Sequence, residues 1–531
     1  MARMRTGVWF ETSVLTIAVF LVLALWSLTT PLYSTVDETR HANSVVRLME
    51  GGGWPAPKTA PILEATELGA REAGRPVTGA KVPGAPEAEG TPAPAPDGPV
   101  PADERSSLAG VEGPPSGVVP HLDWMTQHPP GYYAALALPL KAVGADDWRW
   151  DHLLLAMRLM SCLFTALAVP FVAGAARVFT RSRAAGLAGG GLILLVPQWF
   201  NTSSLVTNDS LLTLLGAVLL YAGVRATVRP ETLVSSSALG ALALGGGLLT
   251  KGLMLTAIPV LAVFLLVAGW RAGRTWRQRF WIPLGAGVLA FVIGGWWWVR
   301  NILVFGTLQP SNFGSGRDPV ADPAYSMGSY LDKGTRRLMQ TFWGSVRESL
   351  TFPQGILLTA TVLAALVVVA AFVLSKQRLV LLLTFLYPAF VTGLTFHHSW
   401  EIYWNHGRIQ GIQGRYLFGG IIALALCVAT VWEASLRRRA VGRVAGTVLA
   451  LAVVVVPVAA WLFSARRLWD GDLGAMVDAG PAGTAVYVLV AAGAVAALVV
   501  TAATIVSRFV VETRPTDPEP EPLAPTEPAP A

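Results

Sequence analysis

Charged side chains are scarce in this sequence. They make up 14% of its 531 residues, whereas hydrophobic residues make up 53%. Soluble domains carry about 25% charged residues, so the composition argues against a soluble fold. Cysteine is nearly absent, and Cys162 and Cys427 both lie in apolar stretches, where a free cysteine acts as a small hydrophobic residue. A disulfide framework is therefore not expected.

Glycine-rich phosphate loops are also missing from the chain. Neither the Walker pattern nor the dinucleotide-binding pattern stands out, so direct use of ATP or of a nucleotide sugar is not expected. The formal net charge of +7 does not indicate nucleic acid, because basic residues of membrane proteins gather in cytoplasmic loops. The residues themselves indicate no organic cofactor.

Long apolar runs dominate what is present. Each is close to the ~20 residues that a helix needs to cross a bilayer. We therefore predict an all-α polytopic membrane protein with about twelve transmembrane helices. The predicted spans lie near 13–32, 152–176, 184–199, 209–224, 233–249, 252–270, 281–303, 352–374, 379–396, 415–435, 444–464 and 484–507.

The distribution of basic residues predicts the topology. With a cytoplasmic N-terminus, 19 of the 40 Lys and Arg residues fall in short inner loops and tails, as the positive-inside rule requires. Both termini are then cytoplasmic, and the large loops 33–151 and 304–351 face outward with any active site. The Ala-, Gly- and Arg-rich composition favours a bacterial cytoplasmic membrane.

The predicted domains are a cytoplasmic start with the first span (1–32), an outer loop (33–151), a multi-span membrane domain (152–507) and a disordered cytoplasmic tail (508–531). Within the outer loop, residues 55–120 hold 14 prolines and few residues able to form a core, which predicts a disordered insertion. The flanking segments 36–49 and 131–140 have the apolar patterns of interfacial helices.

An acidic pair, Asp37 and Glu38, lies a few residues beyond the first span, with Arg40 and His41 close behind. A carboxylate near lipid has its pKa raised toward the range in which it accepts a proton from a hydroxyl group. Adjacent residues on a helix point in different directions, so one acid would act and the other would support it. The competing interpretation is a pair of solvated acids that complement a helix dipole.

Other polar residues lie at the ends of predicted spans. His128 is held before two prolines in a rigid turn, either as a functional group or as a hydrogen-bonded turn residue. Asn208 and Asp209 lie in an outward turn, where polar groups face a cavity or cap a helix. Lys251 has no acidic neighbour in sequence, so it either binds a lipid phosphate or extends to the headgroups.

Two arginines and a histidine-rich loop complete the set of candidates. Arg300 follows three tryptophans, and Arg415 lies beside Tyr416 in a position suited to a bidentate phosphate contact. The loop at 397–414 offers metal-ligand residue types, but their spacing matches no strong zinc pattern. Metal ligation is therefore not favoured at His397, His398, Glu401 and His406.

In this order the motifs resemble the GT-C superfamily of integral-membrane glycosyltransferases, and within it the protein mannosyltransferase and aminoarabinose transferase group. The resemblance spans roughly residues 10–420. It is carried by DETRH (37–41), HPPGYY (128–133), PQWFNTSSLVTND (197–209), LTKG (249–252) and WWWVRNILVFGTLQP (296–310). FWG (342–344) and QGRYLF (413–418) look closer to a poorly characterised bacterial subgroup.

The resemblance implies a GT-C-like fold and an inverting transfer at the outer face. The donor would be a sugar on a polyprenyl phosphate lipid, and the acceptor a hydroxyl of an extracytoplasmic glycan, protein or lipid. Asp37 would be the general base, supported by Glu38. The substrate- and phosphate-binding candidates are Lys251, Arg300, Arg415, His128, Arg40 and His41. Some members of the superfamily need a divalent metal ion beside the acidic pair, so a metal stays open.

Three other functions compete with a transferase. A transporter or flippase of lipid-linked sugars would show inverted repeats and polar residues at mid-span, yet apart from Arg158 the predicted spans offer few. An envelope polysaccharide polymerase usually carries its large outer loop late in the chain, whereas here it comes first. A non-catalytic scaffold would tolerate alanine at Asp37.

Overall fold

The structure, a computed structural model, describes residues 2–35, 37–84, 98–116, 119–310, 326–347 and 350–512. Apart from a short antiparallel pair, β1 (Ser345–Arg347) and β2 (Leu350–Thr351), the regular structure of these residues is helical. The helices are α1 (Ala2–Thr29), α2 (Glu38–Met49), α3 (Glu64–Glu72), α4 (Gly131–Ala142), α5 (Trp150–Ala166), α6 (Val169–Thr180), α7 (Arg183–Gly191), α8 (Pro197–Ser203), α9 (Asp209–Val228), α10 (Leu233–Leu248), α11 (Ala257–Arg271), α12 (Trp276–Ala290), α13 (Trp296–Phe305), α14 (Met327–Trp343), α15 (Gln354–Leu374), α16 (Arg378–His406), α17 (Ile422–Leu436), α18 (Arg439–Leu468), α19 (Leu473–Asp478) and α20 (Thr484–Glu512).

The all-α polytopic fold predicted from the sequence is confirmed. Within the described ranges, nine helices are long and apolar enough to cross a membrane: Trp9–Thr29, Trp150–Thr180, Asp209–Val228, Gly252–Arg271, Trp276–Phe305, Gln354–Leu374, Arg378–His406, Ala440–Leu468 and Thr484–Glu512. A tenth would join Gly414–Gly420 to α17 across a bend of 64°.

The predicted count of twelve spans is not confirmed. The stretch expected to span at 184–199 is broken, because α7 ends at Gly191 and α8 begins at Pro197. The stretch expected at 233–249 forms α10, which has 16 residues. At 1.5 Å per residue such a helix is about 24 Å long, shorter than the hydrocarbon core of roughly 30 Å.

Contacts near the start of α1 and just beyond its last turn define the two ends of the bundle. Near its start, Glu11 pairs with Arg183 at 2.6 Å and with Arg508. Just beyond its last turn, the carbonyl of Thr30 accepts a hydrogen bond of 2.8 Å from Arg158. We call these ends the Glu11 end and the Asp37 end.

Glycines allow the helices to approach closely at the centre of the bundle. A Cβ atom at Gly189 would lie 2.7 Å from the Cβ of Ala176 and 3.0 Å from the carbonyl oxygen of Ala425. Helix α7 therefore packs between α6 and α17 through backbone contact, as small residues permit between membrane helices.

Beyond the Asp37 end lies a second compact region, which we call the cap layer (residues 37–84, 98–116 and 119–149). Its core is separate from that of the bundle, and Val45, Ile62 and Tyr132 are fully buried in it. Helix α2 lies beneath α3 and α4 and is buried along nearly its whole length. It is therefore covered by protein rather than lying open at the membrane interface.

The prediction of disorder over 55–120 is wrong for the described part of that stretch. Residues 64–72 form α3, and backbone hydrogen bonds of 2.7 Å join Ile62 to His121 and Leu122 to Ala80. The composition pointed to disorder because apolar residues are few, but these few bury against α2 and α5. Residues 85–97 and 117–118 of that prediction lie outside the described residues.

Arg105 fixes the cap layer to the far end of the chain. Its guanidinium pairs with Asp151 at 2.8 Å and donates to the carbonyls of Ala479 and Gly480 at 2.9 and 2.7 Å. At the Glu11 end, the Glu512 carboxylate accepts from the backbone N–H of Arg183, so α20 continues past the predicted tail boundary at 508. Residues 513–531 of that tail lie outside the described residues.

Candidate active site

The two acids of the sequence pair lie in different surroundings. Asp37 is the residue before α2, and its side chain is 41% exposed. Glu38 is the first residue of α2, and its side chain is fully buried. A helix turns about 100° per residue, so adjacent side chains leave it in different directions. The two acids therefore lie in different places, and the division between an acting and a supporting acid stays a prediction.

Glu38 forms a sealed ion pair with Arg158. Two hydrogen bonds of 2.7 Å join the carboxylate to the guanidinium, and neither side chain is exposed. The guanidinium also donates to the carbonyls of Ser27, Thr30 and Pro31. Arg158 thus ties the end of α1 to the start of α2 and holds the backbone from which Asp37 projects.

Asp37 instead faces a second, looser group of charges, which we call the open cluster (Asp37, Asp209, Lys251 and Arg415). The Arg415 guanidinium lies 3.6 Å from Asp37 and 3.2 Å from Asp209. Lys251 donates to the other oxygen of Asp209 at 2.5 Å. The structure therefore brings three predicted residues together around Asp209.

Three members of the open cluster lie at the end of a helix or in a turn. Asp209 is the first residue of α9, Lys251 immediately precedes a 3₁₀ turn after α10, and Arg415 lies in the 3₁₀ helix Gly414–Gly420. The Tyr416 ring is close to both cations, with its centroid 4.6 Å from the Lys251 ammonium and 5.6 Å from the Arg415 guanidinium. Such cation–π contacts stabilise a charge without consuming hydrogen-bond donors.

Two other motifs brace the cluster. The N–H of Gly414 donates to the hydroxyl of Thr341 at 2.7 Å, and a Cβ atom at Gly414 would lie 2.3 Å from the backbone nitrogen of Phe342. Gln198 of α8 accepts from the N–H of Ser345 at 2.6 Å. The FWG, PQWFN and QGRYLF segments are therefore packed against one another around the position of Arg415.

The HPP turn docks directly on the turn that carries Lys251. The N–H of Gly131 donates to the carbonyl of Leu249 at 2.8 Å, and a Cβ atom at Gly131 would lie only 2.5 Å from that oxygen. Glycine is therefore required at this approach. His128 precedes this contact, and its Nδ1 atom is buried without a hydrogen-bond partner among the described residues.

Burial and the nearby Lys251 lower the pKa of His128 to about 3. The same two causes lower the pKa of His41 to about 3. His41 lies one turn beyond Asp37, and its Nδ1 shares a hydrogen bond of 2.9 Å with the Tyr133 hydroxyl. Both imidazoles are therefore neutral in the folded protein at ordinary pH.

Arg40 and Arg300 have other surroundings than the open cluster. Arg40 donates to the carbonyls of Thr78 and Leu122 and stacks on Trp124 at 3.3 Å, within the cap layer. Arg300 lies over the rings of Trp297 and Phe305, at 4.7 and 5.3 Å. Their predicted contacts with substrate stay predictions, and the described contacts of both are with protein.

Metal-ligating residue types do not converge anywhere in the described ranges: no group of three His, Cys, Asp or Glu side chains there is arranged to hold an ion. His397, His398, Glu401 and His406 all lie on the last turns of α16.

Sequence reasoning did not assign Asp209 or Arg158 to the site. Asp209 was weighed as a helix cap, and its side chain instead pairs with two cations that follow it by 42 and 206 positions. The signal that could have found it is a carboxylate at the first position of an apolar span, a costly location without a partner. The signal for Arg158 is its position within a span.

Residues 127–298 match the model of the dolichyl-phosphate-mannose-protein mannosyltransferase family. This segment begins beside His128 and includes Arg158, Asp209 and Lys251. The match confirms the resemblance to the protein mannosyltransferase group that the motifs indicate. No curated protein matches the chain in sequence.

Solved structures with a similar course include ArnT from Cupriavidus metallidurans in the apo state. It is 17% identical, with a TM-score of 0.47 over 94% of this chain and 76% of that one. The same protein bound to undecaprenyl phosphate gives a TM-score of 0.46 at the same identity and coverage. The oligosaccharyltransferase AglB from Archaeoglobus fulgidus is 11% identical, with a TM-score of 0.42 over 87% of this chain and 56% of that one.

Proposed function

We propose that this chain is a membrane glycosyltransferase. It transfers a sugar from a polyprenyl phosphate to a hydroxyl group at the outer face of the membrane, with inversion. One observation carries the proposal: at the end of a membrane bundle, an accessible carboxylate, Asp37, lies 3.6 Å from Arg415, and Arg415 shares Asp209 with a second cation, Lys251. The matched family, named for a dolichyl-phosphate-mannose donor, supports the donor class.

The two cations suit a departing lipid phosphate. Lysine has three N–H donors and arginine has five, and the described contacts use a minority of them. When the bond between sugar and phosphate breaks, negative charge develops on the phosphate oxygens. Fixed cations in a water-poor site stabilise such charge most strongly. Asp209 keeps both cations in place before the donor binds.

Asp37 suits the role of general base. Its contact with Arg415 is longer than a hydrogen bond, and its side chain is partly exposed, so an acceptor hydroxyl can reach it. In the reaction Asp37 takes the hydroxyl proton while the acceptor oxygen attacks the anomeric carbon. The phosphate leaves from the opposite face toward Lys251 and Arg415, so the configuration inverts.

The proposal is tested by lipid mass spectrometry on cells that carry the wild type, Asp37→Asn or the control Asp332→Asn. Asp332 lies on α14 with its side chain 59% exposed, so its loss tests only the removal of one carboxylate. We expect a polyprenyl-phosphate sugar to accumulate in Asp37→Asn cells and not in the control. An unchanged lipid pool, with the Asp37→Asn protein expressed and the deletion strain defective, would contradict the assignment of Asp37.

A further inference from the structure

A polar cavity lies at the Glu11 end of the bundle, away from the open cluster. We call it the basal cavity, and its volume is about 190 Å³. Four helix ends meet around it, from α6, α15, α16 and α17. Its lining includes Arg181, Lys376, Gln377, Glu433 and Arg437.

Its place in the bundle follows from neighbouring contacts. The residue after Arg181 is Ser182, whose hydroxyl donates to Glu512 at 2.6 Å. The next residue, Arg183, pairs with Glu11 near the start of α1. The basal cavity and Asp37 are therefore separated by the length of the bundle, and a ligand in the cavity cannot touch the open cluster.

The rim of the basal cavity is basic. Three cations, Arg181, Lys376 and Arg437, face one carboxylate, Glu433. Glu433 lies 3.9 Å from Arg437, an exposed i,i+4 contact of the kind that contributes little. The ends of α6, α15 and α17 add partial negative charge, and the start of α16 adds partial positive charge. The cations exceed both sources of negative charge, so the rim favours an anion.

The side chains of the three rim cations are exposed, and hydrogen bonds hold the backbone that carries them. The turn between α15 and α16 has three residues, and Gln377 fixes it by donating to the carbonyl of Phe179 at 3.1 Å. The N–H of Gln377 also donates to the Ser375 hydroxyl at 3.0 Å, so Lys376 is constrained between two anchored residues. Arg181 ends α6 in the left-handed conformation common at helix C-termini, with a φ of +62°, and its backbone N–H donates to the carbonyl of Arg177 at 2.8 Å.

The apolar surface beside the cavity favours a ligand that has hydrocarbon chains as well as a charged group. The residues just before the rim on α15, Val373 and Leu374, are 67% and 50% exposed, so an apolar face runs from the cavity along the bundle. The cavity floor itself includes Phe179 and Ala434. A basic rim above an apolar face is the arrangement by which membrane proteins hold phosphate-bearing lipid headgroups.

From these observations we infer that the basal cavity is a binding site for a phosphate group, with an anionic phospholipid as its ligand. Arg181, Lys376 and Arg437 would contact the phosphate, and the acyl chains would lie along α15. This inference is independent of the proposed transferase reaction, because it concerns residues at the other end of the bundle.

The test is native mass spectrometry of the full-length protein with phosphatidylglycerol and phosphatidylcholine in competition. The test variant, Arg181→Gln with Arg437→Gln, removes two rim charges. The matched control, Arg277→Gln with Arg443→Gln, removes two exposed arginines that do not line the cavity. We expect the test variant to bind phosphatidylglycerol at least tenfold more weakly and the control to bind it as the wild type does.

A second variant keeps the inference testable if the first variant does not fold. Thr430→Phe adds bulk at the cavity wall while leaving every rim charge in place, and it should also weaken phosphatidylglycerol binding. Inorganic phosphate is then added as a soluble competitor. Failure to compete supports the lipid headgroup, and full competition supports a phosphate site whose ligand is a free anion. Equal binding by wild type, both cavity variants and the control would overturn the inference.

Discussion

The sealed pair of Glu38 with Arg158 and the open cluster around Asp209 both combine carboxylates with cations, but they differ in exposure and in contact distance. In the sealed pair both side chains are unexposed and the contact is bidentate at 2.7 Å. In the open cluster Asp37 is 41% exposed and its contact with Arg415 is 3.6 Å. Asp37 and Glu38 are consecutive in the sequence, so adjacency in sequence does not imply the same surroundings. The sealed pair holds the backbone, whereas Asp37 in the open cluster stays partly exposed.

Removing one partner of the sealed pair is the strongest test of this difference. Arg158→Met leaves Glu38 buried without its cation, and breaking a buried pair in this way costs about 3–5 kcal/mol. We expect the folded fraction to fall in a dodecyl sulfate titration of the protein in mixed micelles. The double variant Glu38→Gln with Arg158→Met should recover part of the loss. An Arg158→Met protein as stable as the wild type would remove the architectural role of this pair.

The pH dependence of stability tests whether two buried histidines near the open cluster, His41 and His128, stay neutral in the folded protein. Burial holds the pKa of His41 and of His128 at about 3, against an ordinary value of 6.5. Above pH 6.5 both are neutral in either state and contribute nothing. As the pH falls from 6.5 toward 3, both histidines bind protons in the unfolded chain but stay neutral in the folded chain. The free energy of unfolding therefore decreases. The slope is at most about 1.4 kcal/mol per pH unit for each histidine.

This prediction is checked by repeating the dodecyl sulfate titration between pH 7.5 and 5. A variant with His41→Asn and His128→Asn should lose the histidine part of the slope. The control His152→Asn changes an exposed histidine and should keep it. Equal slopes in all three proteins would mean that neither imidazole is held neutral.

Within the open cluster, Lys251→Met should weaken donor binding. In the proposed reaction Lys251 donates charge-assisted hydrogen bonds to the phosphate, each of which would contribute about 1.5–3 kcal/mol. The expected result is a rise in the donor KM of about 10- to 100-fold. Lys251→Arg should restore part of the affinity, and Lys333→Met, on α14, serves as the control. An unchanged KM in Lys251→Met would exclude this cation from donor binding.

Sequence patterns predicted much of this arrangement, and the missing part has a physical cause. The apolar runs predicted a helical membrane bundle, and local motifs selected Asp37, Lys251 and Arg415. The partners of buried charges could not be predicted in the same way, because Glu38 and Arg158 are 120 positions apart. The prediction of disorder failed around Ile62 for a related reason: a few apolar residues suffice when another part of the chain supplies the surface that buries them.

Arg300 provides the smallest and most specific test of the boundary of the open cluster. The resemblance assigns it to the phosphate, whereas its guanidinium lies over Trp297 and Phe305 and contacts Asn301 at 3.2 Å. Cation–π contacts at exposed sites contribute about 0.5–1 kcal/mol, so Arg300→Gln should cost roughly that much stability. If these contacts persist when the donor binds, the donor KM changes less than in Lys251→Met. A KM increase as large as that of Lys251→Met would mean that Arg300 leaves its aromatic neighbours to bind the phosphate, and the cluster would then have a third cation.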